Sequence, residues 1–414
     1  MTEENLSPGG SGVSGASGAP IHAAIVGCGV IGRTHAAAVR EFPEVVITAL
    51  VDEIAEASEA LAAKIEDQGA PKPAVFLTLA EAIAAAPVDL VIVATPSGLH
   101  IQQALEALDA GKHVVIEKPL DVDLSRADEI IVAAKAAEAK GLVATVISQH
   151  RFDPASRVVD EARRAGRFGT LTSAVASVSW WRSQGYYDSG AWRGTWAMDG
   201  GGAIMNQGVH TVDLLLWFLG RPVEISAKTA LLAHEGVEVE DTAVATVTFE
   251  SGALAVLHAT TAAYPGLTVR LQVMGSKGSA VIDNDDLAYF HASDAADPAE
   301  SSAMGILGGG NQAAVELAKY PDDKVEALDP TVYPAGHVRQ YRDIVAAIRA
   351  GRPAGVTVQD AVTALATVRA LYVSATLGQP VLIADVIAGK YQNVEVRTGS
   401  AGADTASHRQ GVSA

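Results

Sequence analysis

The sequence predicts an α/β protein in two parts. A doubly wound parallel sheet comes first, and an α/β domain with an open, largely antiparallel sheet follows. Three observations predict it. Apolar strands alternate with helical segments from Ile21 to Gln149. A glycine-rich turn joins the first strand to the first helix. Beyond Gln149 the strands succeed one another through short turns instead of helices. The 414 residues leave room for about two domains. We read residues 1–20 as a disordered tail, 21–149 as the first domain, 150–396 as the second and 397–414 as a second disordered tail.

The elements justify this reading in order. Ala23-Ala24-Ile25-Val26 is a buried strand, Gly27-Cys28-Gly29-Val30-Ile31-Gly32 follows at once, and Arg33 to Arg40 continues as helix. The first glycine of such a run makes the tight turn. The second lets backbone amides approach a pyrophosphate, and the third lets helix and strand pack closely. A second strand, Val45 to Val51, ends in Asp52-Glu53, about 20 residues past the last glycine. Asp52 is placed to accept hydrogen bonds from ribose hydroxyls. Two acids there repel a 2′-phosphate, which favours NAD over NADP, and Arg33 is the one contrary residue. Together these segments read as a Rossmann dinucleotide-binding domain.

Ala74 to Leu77 is a short strand and Leu79 to Ala86 a helix. Asp89 to Ala94 is apolar, as a strand buried on both faces should be. It ends in Ala94-Thr95-Pro96-Ser97-Gly98-Leu99-His100, a loop over which a cofactor can lie. A helix to Ala110 leads into His113-Val114-Val115-Ile116-Glu117-Lys118-Pro119. A charged pair ending a buried strand is costly unless paired or used, and the carboxyl edge of a parallel sheet is where ligands bind. Leu124 to Lys140 and Leu142 to Ile147 close the unit as helix and strand. Further on, Thr242–Phe249 with Ala253–Thr261, and Leu267–Met274 with Ser279–Ile282, form hairpins. Ser293 to Pro334 reads as a long mobile loop or lid. Helices over Gly336–Ala350 and Val358–Thr376 complete the chain.

Composition narrows the functions. The 48 acidic and 30 basic side chains, a net charge of −18, argue against nucleic acid and anionic membranes as partners. The lone cysteine, Cys28, excludes an internal disulfide framework and suits a reducing cytoplasm. It reads as a small packing residue in the glycine turn. The histidines are scattered without ligand spacing, so no metal is expected.

The second domain carries another constellation. A helix from about Ala203 through Leu219 places Asn206, His210 and Asp213 near one face, with Gln207 beside them. Upstream lie Trp180-Trp181-Arg182, Tyr186-Tyr187, Trp192-Arg193 and Trp196. Aromatic faces stack on sugar rings and guanidinium forks bind hydroxyls or carboxylates. Each feature alone has a bland reading: a solvated salt bridge, a structural histidine, a hydrophobic cluster under a loop. Their coincidence in one chain favours a site.

These motifs resemble the glucose-fructose oxidoreductase, inositol dehydrogenase and rhizopine catabolism family from about Ile21 to Tyr391. The segment Trp181–Asp213 is similar to members acting at C3 of UDP-N-acetylglucosaminuronate and related glycosides. The resemblance implies a sugar dehydrogenase using NAD, with Gly27 to Gly32, Asp52, Glu53, Ala94 to Ser97, His100, Glu117, Lys118 and Pro119 around the cofactor. It implies Arg151, Tyr186, Trp192, Arg193, Trp196, Asn206, Gln207 and His210 on the substrate side. Lys118 would steady the developing alkoxide charge and His210 would take the hydroxyl proton. Asn206 stands where many members have aspartate, so Lys118 and His210 both remain open as the base. A glycosidase that recycles NAD through transient C3 oxidation, and a non-catalytic NAD and sugar sensor, are the alternative functions. The open sheet face suggests a homodimer or homotetramer.

Overall fold

The structure, a computed structural model, describes residues 18–190, 193–293, 310–320 and 334–399. Trp192, nearly all of both predicted tails and most of the 293–334 segment lie outside the described residues. The first sheet is built from β1 (Ile21–Val26), β2 (Val45–Val51), β3 (Ala74–Phe76), β4 (Leu90–Val93), β5 (His113–Ile116) and β6 (Ala144–Val146). Their order is β3-β2-β1-β4-β5-β6, every pair parallel. The connecting helices are α1 (Val30–Val39), α2 (Ala55–Asp67), α3 (Leu79–Ala85), α4 (His100–Asp109) and α5 (Ala127–Glu138). Strand order reverses between β1 and β4, which opens a crevice at their carboxyl ends.

The second part begins with a short 3-10 turn, Gln149–Phe152, and α6 (Pro154–Arg164). It continues through β7 (Leu171–Ser179), α7 (Gln184–Asp188), α8 (Val209–Leu219), β8 (Pro222–Ala230), β9 (Thr242–Phe249), β10 (Leu254–Thr260), β11 (Val269–Gly275), β12 (Gly278–Asp283) and β13 (Asp286–Ala292). The remaining elements are α9 (Ala313–Leu317), α10 (Ala335–Ala350), α11 (Val358–Leu377), β14 (Val381–Leu382) and α12 (Ile383–Ile387). The eight strands run β13-β12-β11-β7-β10-β9-β8-β14, antiparallel except for the β7–β10 pair. Both predicted hairpins form. Burial alternates along β9 and β10, so one face packs under α8 and α11 while Val244, Leu254 and Val256 stand exposed on the other. Among the described residues no helix is long and apolar enough to cross a membrane.

Three expectations need correction. Sequence order places α10 in the second domain, yet Val338, Tyr341, Ile344 and Val345 share a core with Ile21, Ile47, Ile92, Val115 and Ile147 of the first. The physical reason lies in the crossovers. Helices α4 and α5 cover the opposite face of the sheet, so this face over β4 and β5 must be sealed by a helix from elsewhere. Gln340 fastens it there: its side chain accepts from the Ser148 amide (2.8 Å) and donates to the Val146 carbonyl (2.9 Å). Second, the described part of the supposed lid holds α9. Ala313 is buried in the main core, and the buried Glu316 carboxylate accepts from Arg167 at 2.8 Å and from Lys319. Third, the helix from Ala203 is not uniform. Ile204–Gly208 is a π-turn that passes into α8, the kind of irregularity concentrated at functional sites.

Candidate active site

The glycine turn is shaped by contact. Gly27 has φ +95°, and a Cβ there would lie 2.5 Å from the Ala94 carbonyl oxygen. At Gly32 a Cβ would meet the Gly27 oxygen at 2.0 Å. Gly29 differs, for its Cβ position has nothing within 4 Å. Helix α1 starts there without a side-chain cap and without an acid in its first turn. Its orphan amides and the positive end of its dipole therefore face an open space. Val30 and Ile31 beside it are 56% and 40% exposed. Asp52 is aimed at the same place, its Oδ2 accepting from the Cys28 amide (2.8 Å) and its Oδ1 from the Ile54 amide (2.9 Å). Burial, and then the Asp52 charge, push the Cys28 thiol up to about 12, so it is a protonated packing group. Glu53 is exposed next to Asp52.

Across the crevice, Ala94, Thr95 and Ser97 are half-buried and Pro96 is exposed. His100 sits beneath them, its Nδ1 2.7 Å from the Pro119 oxygen and its Nε2 2.8 Å from the Thr95 oxygen. It braces the β4 loop against the turn after β5, so its place is under the crevice and not in it. The same holds for Glu117, which is 4% exposed. Its Oε1 accepts from His35 Nε2 (3.0 Å) and His337 Nε2 (3.1 Å), and its Oε2 from the Lys118 amide (2.9 Å). Burial opposes ionisation there, but the two histidine hydrogen bonds hold the carboxyl well below its usual range. Tyr341 donates to His35 Nδ1 at 2.8 Å. Glu117 thus anchors Lys118 from behind and joins α1 to α10, where direct cofactor contact was expected. His35, His337 and Tyr341 carried no local signal. The Lys118–Pro119 bond is cis. The Lys118 ammonium is half-buried and makes no hydrogen bond or ion pair among the described residues.

Facing it is His210 at the start of α8, in a small cavity that Lys118, Pro119, Ser148, Asp213 and Leu365 also line. Burial, then the charge of Lys118 and that of His150, lower the His210 pKa well below the ordinary value. The ring is therefore neutral near pH 7 and able to accept a proton. His150 lies edge-on to it, ring centroids 5.0 Å apart at 78°.

What holds this helix start in place was invisible in the sequence. The buried Glu240 carboxylate accepts from the Gly202 amide (3.0 Å), the Ile204 amide (2.9 Å) and the Tyr372 hydroxyl (3.0 Å). A Cβ at Gly202 would come within 1.8 Å of the Glu240 carbonyl oxygen, which explains the glycine run. Burial outweighs these bonds and raises Glu240 to about 7.

The other predicted substrate residues divide. Arg151 is buried and its fork is taken by Asp213, at 2.7 and 2.6 Å, with Asp360 at 3.4 Å. It is a structural ion pair and not a substrate arm, because a buried guanidinium needs its carboxylate. Asn206 donates to the Gly201 carbonyl at 3.0 Å and also bonds the Asp199 carboxyl, and among the described residues it makes no hydrogen bond to the His210 ring. Gln207 is buried on the π-turn. Tyr186 lies under two guanidiniums, Arg182 at 5.1 Å and Arg193 at 4.5 Å from its centroid. Half-buried Trp196 packs edge-on against Tyr372 at 4.9 Å. Two trios with ligand-type atoms, His35–Glu117–His337 and His150–Asp153–Asp285, occur among the described residues. Both are spaced as hydrogen-bonded groups.

A glycine cradle at a helix start, an acid at the next strand end and a lysine at the carboxyl edge with no partner among the described residues define a dinucleotide-dependent oxidoreductase. Comparison with known proteins agrees. Residues 21–146 match the oxidoreductase family with an NAD-binding Rossmann fold, and residues 156–281 match the GFO/IDH/MocA C-terminal domain. The chain belongs to the Gfo/Idh/MocA family and is an NAD-dependent oxidoreductase. It is 27% identical to inositol 2-dehydrogenase of Rhizobium meliloti over 63% of this chain and 74% of that one. It is 28% identical to the uncharacterized oxidoreductase YrbE of Bacillus subtilis over 63% and 73%. The crystal structure of the WlbA dehydrogenase from Bordetella pertussis in complex with NADH and UDP-GlcNAcA superposes with a TM-score of 0.74. That protein is 29% identical, and the match covers 88% of this chain and 98% of that one. The residues present fit NAD: open space at Gly29, uncapped amides of α1 and the oriented Asp52 carboxylate would hold it.

Proposed function

We propose that this enzyme oxidises a secondary hydroxyl, at C3, of a sugar or sugar derivative such as a glycoside or nucleotide-linked sugar acid. The observation that carries the reading is the Lys118 ammonium, without a partner among the described residues, beside a neutral His210 at the carboxyl edge of the sheet. His210 accepts the hydroxyl proton, and Lys118 stabilises the negative charge that grows on that oxygen. NAD supplies the hydride-accepting carbon. The products are the ketone, NADH and one proton, which leaves through the imidazole. With Arg151 spent on Asp213 and Asn206 turned to Gly201, substrate contacts fall to Tyr186, Arg193 and Trp196. The C3 assignment draws on the resemblance of the Trp181–Asp213 segment, and the sugar-derivative class on the likeness to the WlbA dehydrogenase, crystallised with NADH and UDP-GlcNAcA. Exposed Val244, Leu254 and Val256 on the uncovered sheet face support assembly as a homodimer or homotetramer. A buried lone cysteine suits a reducing cytoplasm.

The test is incubation with NAD and a panel of free sugars, cyclitols, glycosides and UDP-sugars, following NADH formation and sugar release together. NADH with one class supports the dehydrogenase and names its substrate. Sugar release without net NADH replaces it with an NAD-recycling glycosidase, and silence on both with NAD bound replaces it with a sensor. Deuterium at C3 of the active substrate should slow turnover; an unchanged rate that persists under single-turnover conditions would remove the C3 assignment.

A further inference from the structure

Next to the base stands a histidine with an unusual set of partners. His150 lies in the 3-10 turn that leaves the first domain. Its Nδ1 lies 2.8 Å from Asp153 Oδ2 and 3.1 Å from Asp285 Oδ1. Asp153 is buried and also accepts from Arg339 of α10 at 2.6 Å. Asp285 comes from the far end of the second sheet, in the turn between β12 and β13. There Asn284 and Asp285 hold φ values of +47° and +68°, a left-handed pair that residues other than glycine adopt at a cost. Both carboxylates take the same nitrogen, so His150 Nε2 makes no bond within the described residues. The ring then sits edge-on to His210 with centroids 5.0 Å apart.

We propose that His150 is a positioning residue, fixed as an imidazolium by Asp153 and Asp285, that keeps the neighbouring His210 neutral and ready to accept the substrate proton. This rests on the reading of His210 as the base. Burial works against a charge on His150, but hydrogen bonds to the two aspartates raise it to about 10. A neutral His210 beside a permanent cation follows from like-charge repulsion. The other groups around His210 are Lys118 and Glu117 from the end of β5 and His337 from α10, with Asp213 one turn along α8, already paired to Arg151. Of these, Lys118 and His337 act in the same sense as His150, and Glu117 opposes them. Removing His150 takes away one cation and also unmasks two carboxylates, so both consequences raise the affinity of His210 for a proton.

The experiment follows histidine Cε1–H resonances of the labelled full-length protein with NAD bound. His210→Asn provides the assignment, and kcat/KM is measured across pH in parallel. In His150→Gln the His210 midpoint should rise by about one pH unit or more, and the acidic limb of kcat/KM should rise with it. His150→Lys, which restores a cation, should bring both back toward the parent values. A His210 midpoint that stays put in His150→Gln overturns the inference. A midpoint that rises while the kinetic limb stays fixed upholds the coupling and overturns the role of His210 as base. If His150→Gln does not fold, Asp285→Asn at the exposed turn serves instead. It should lower the midpoint of His150 itself by about one unit, and no change there also overturns the inference.

Discussion

The two sides of the active site are built by opposite means. On the cofactor side, one βαβ crossover supplies the glycine turn, the uncapped helix and Asp52, all between Ile21 and Glu53. On the other side, His210, the proposed base, depends on groups from across the chain. Glu240 holds Gly202 from 38 residues away, and Tyr372 holds the same amide from 170. His150, in the turn that opens the second part, takes its partner Asp285 from the turn between β12 and β13. The contrast teaches that a ligand cradle made of backbone can be encoded locally, whereas placing one imidazole needs a scaffold gathered from the whole fold.

Substitutions can break or sharpen this contrast. Lys118→Ala should lower kcat by about three orders of magnitude while NAD affinity, measured by titration, stays within about tenfold; an active variant would sink the mechanism. Arg151→Met strands the buried Asp213 carboxylate, and chemical denaturation should register a loss of about 3–5 kcal/mol. An unchanged midpoint would mean that the ion pair is not a structural support of the His210 side. Asp52→Ala should weaken NAD about 10- to 100-fold and narrow the preference over NADP, with little effect on kcat at saturation. Equal loss of kcat would show the two sides to be coupled after all.

A pH dependence of stability concerns Glu240. Its carboxyl is raised from 4.5 to about 7 in the fold, so the folded state favours the protonated form. That contribution to stability is complete below about pH 4.5 and is lost as pH rises through about 7. Relative to Glu240→Gln, the parent should therefore lose roughly 2–3 kcal/mol between those limits, read as a divergence of thermal midpoints. Parallel midpoints across that range would refute the assignment.

How much was legible follows the same division. The alternation of strand and helix, both hairpins and the glycine turn could be read because period and turn chemistry are local properties. Lys118 could be placed at a strand end for the same reason. The roles of Glu117 and His100 could not, because both turn inward to partners that only the folded chain brings near. Arg151 looked like a free arm since nothing in the sequence pairs it with Asp213, 62 positions on. The helix bearing His210 was visible by its apolar pattern. Its π-turn was not, since that depends on amides drawn toward Glu240.

Helix α10 has a consequence for how the molecule comes into being. A fragment ending at residue 149 would leave Ile92, Val115 and Ile147 without the Val338, Tyr341 and Ile344 that cover them. It would also leave Glu117 without His337 behind the lysine. The nucleotide-binding half is therefore not finished when its last strand leaves the ribosome. It must wait, partly bare, through the synthesis of nearly two hundred further residues, and a chaperone that recognises exposed aliphatic surface would find its longest opportunity in that interval.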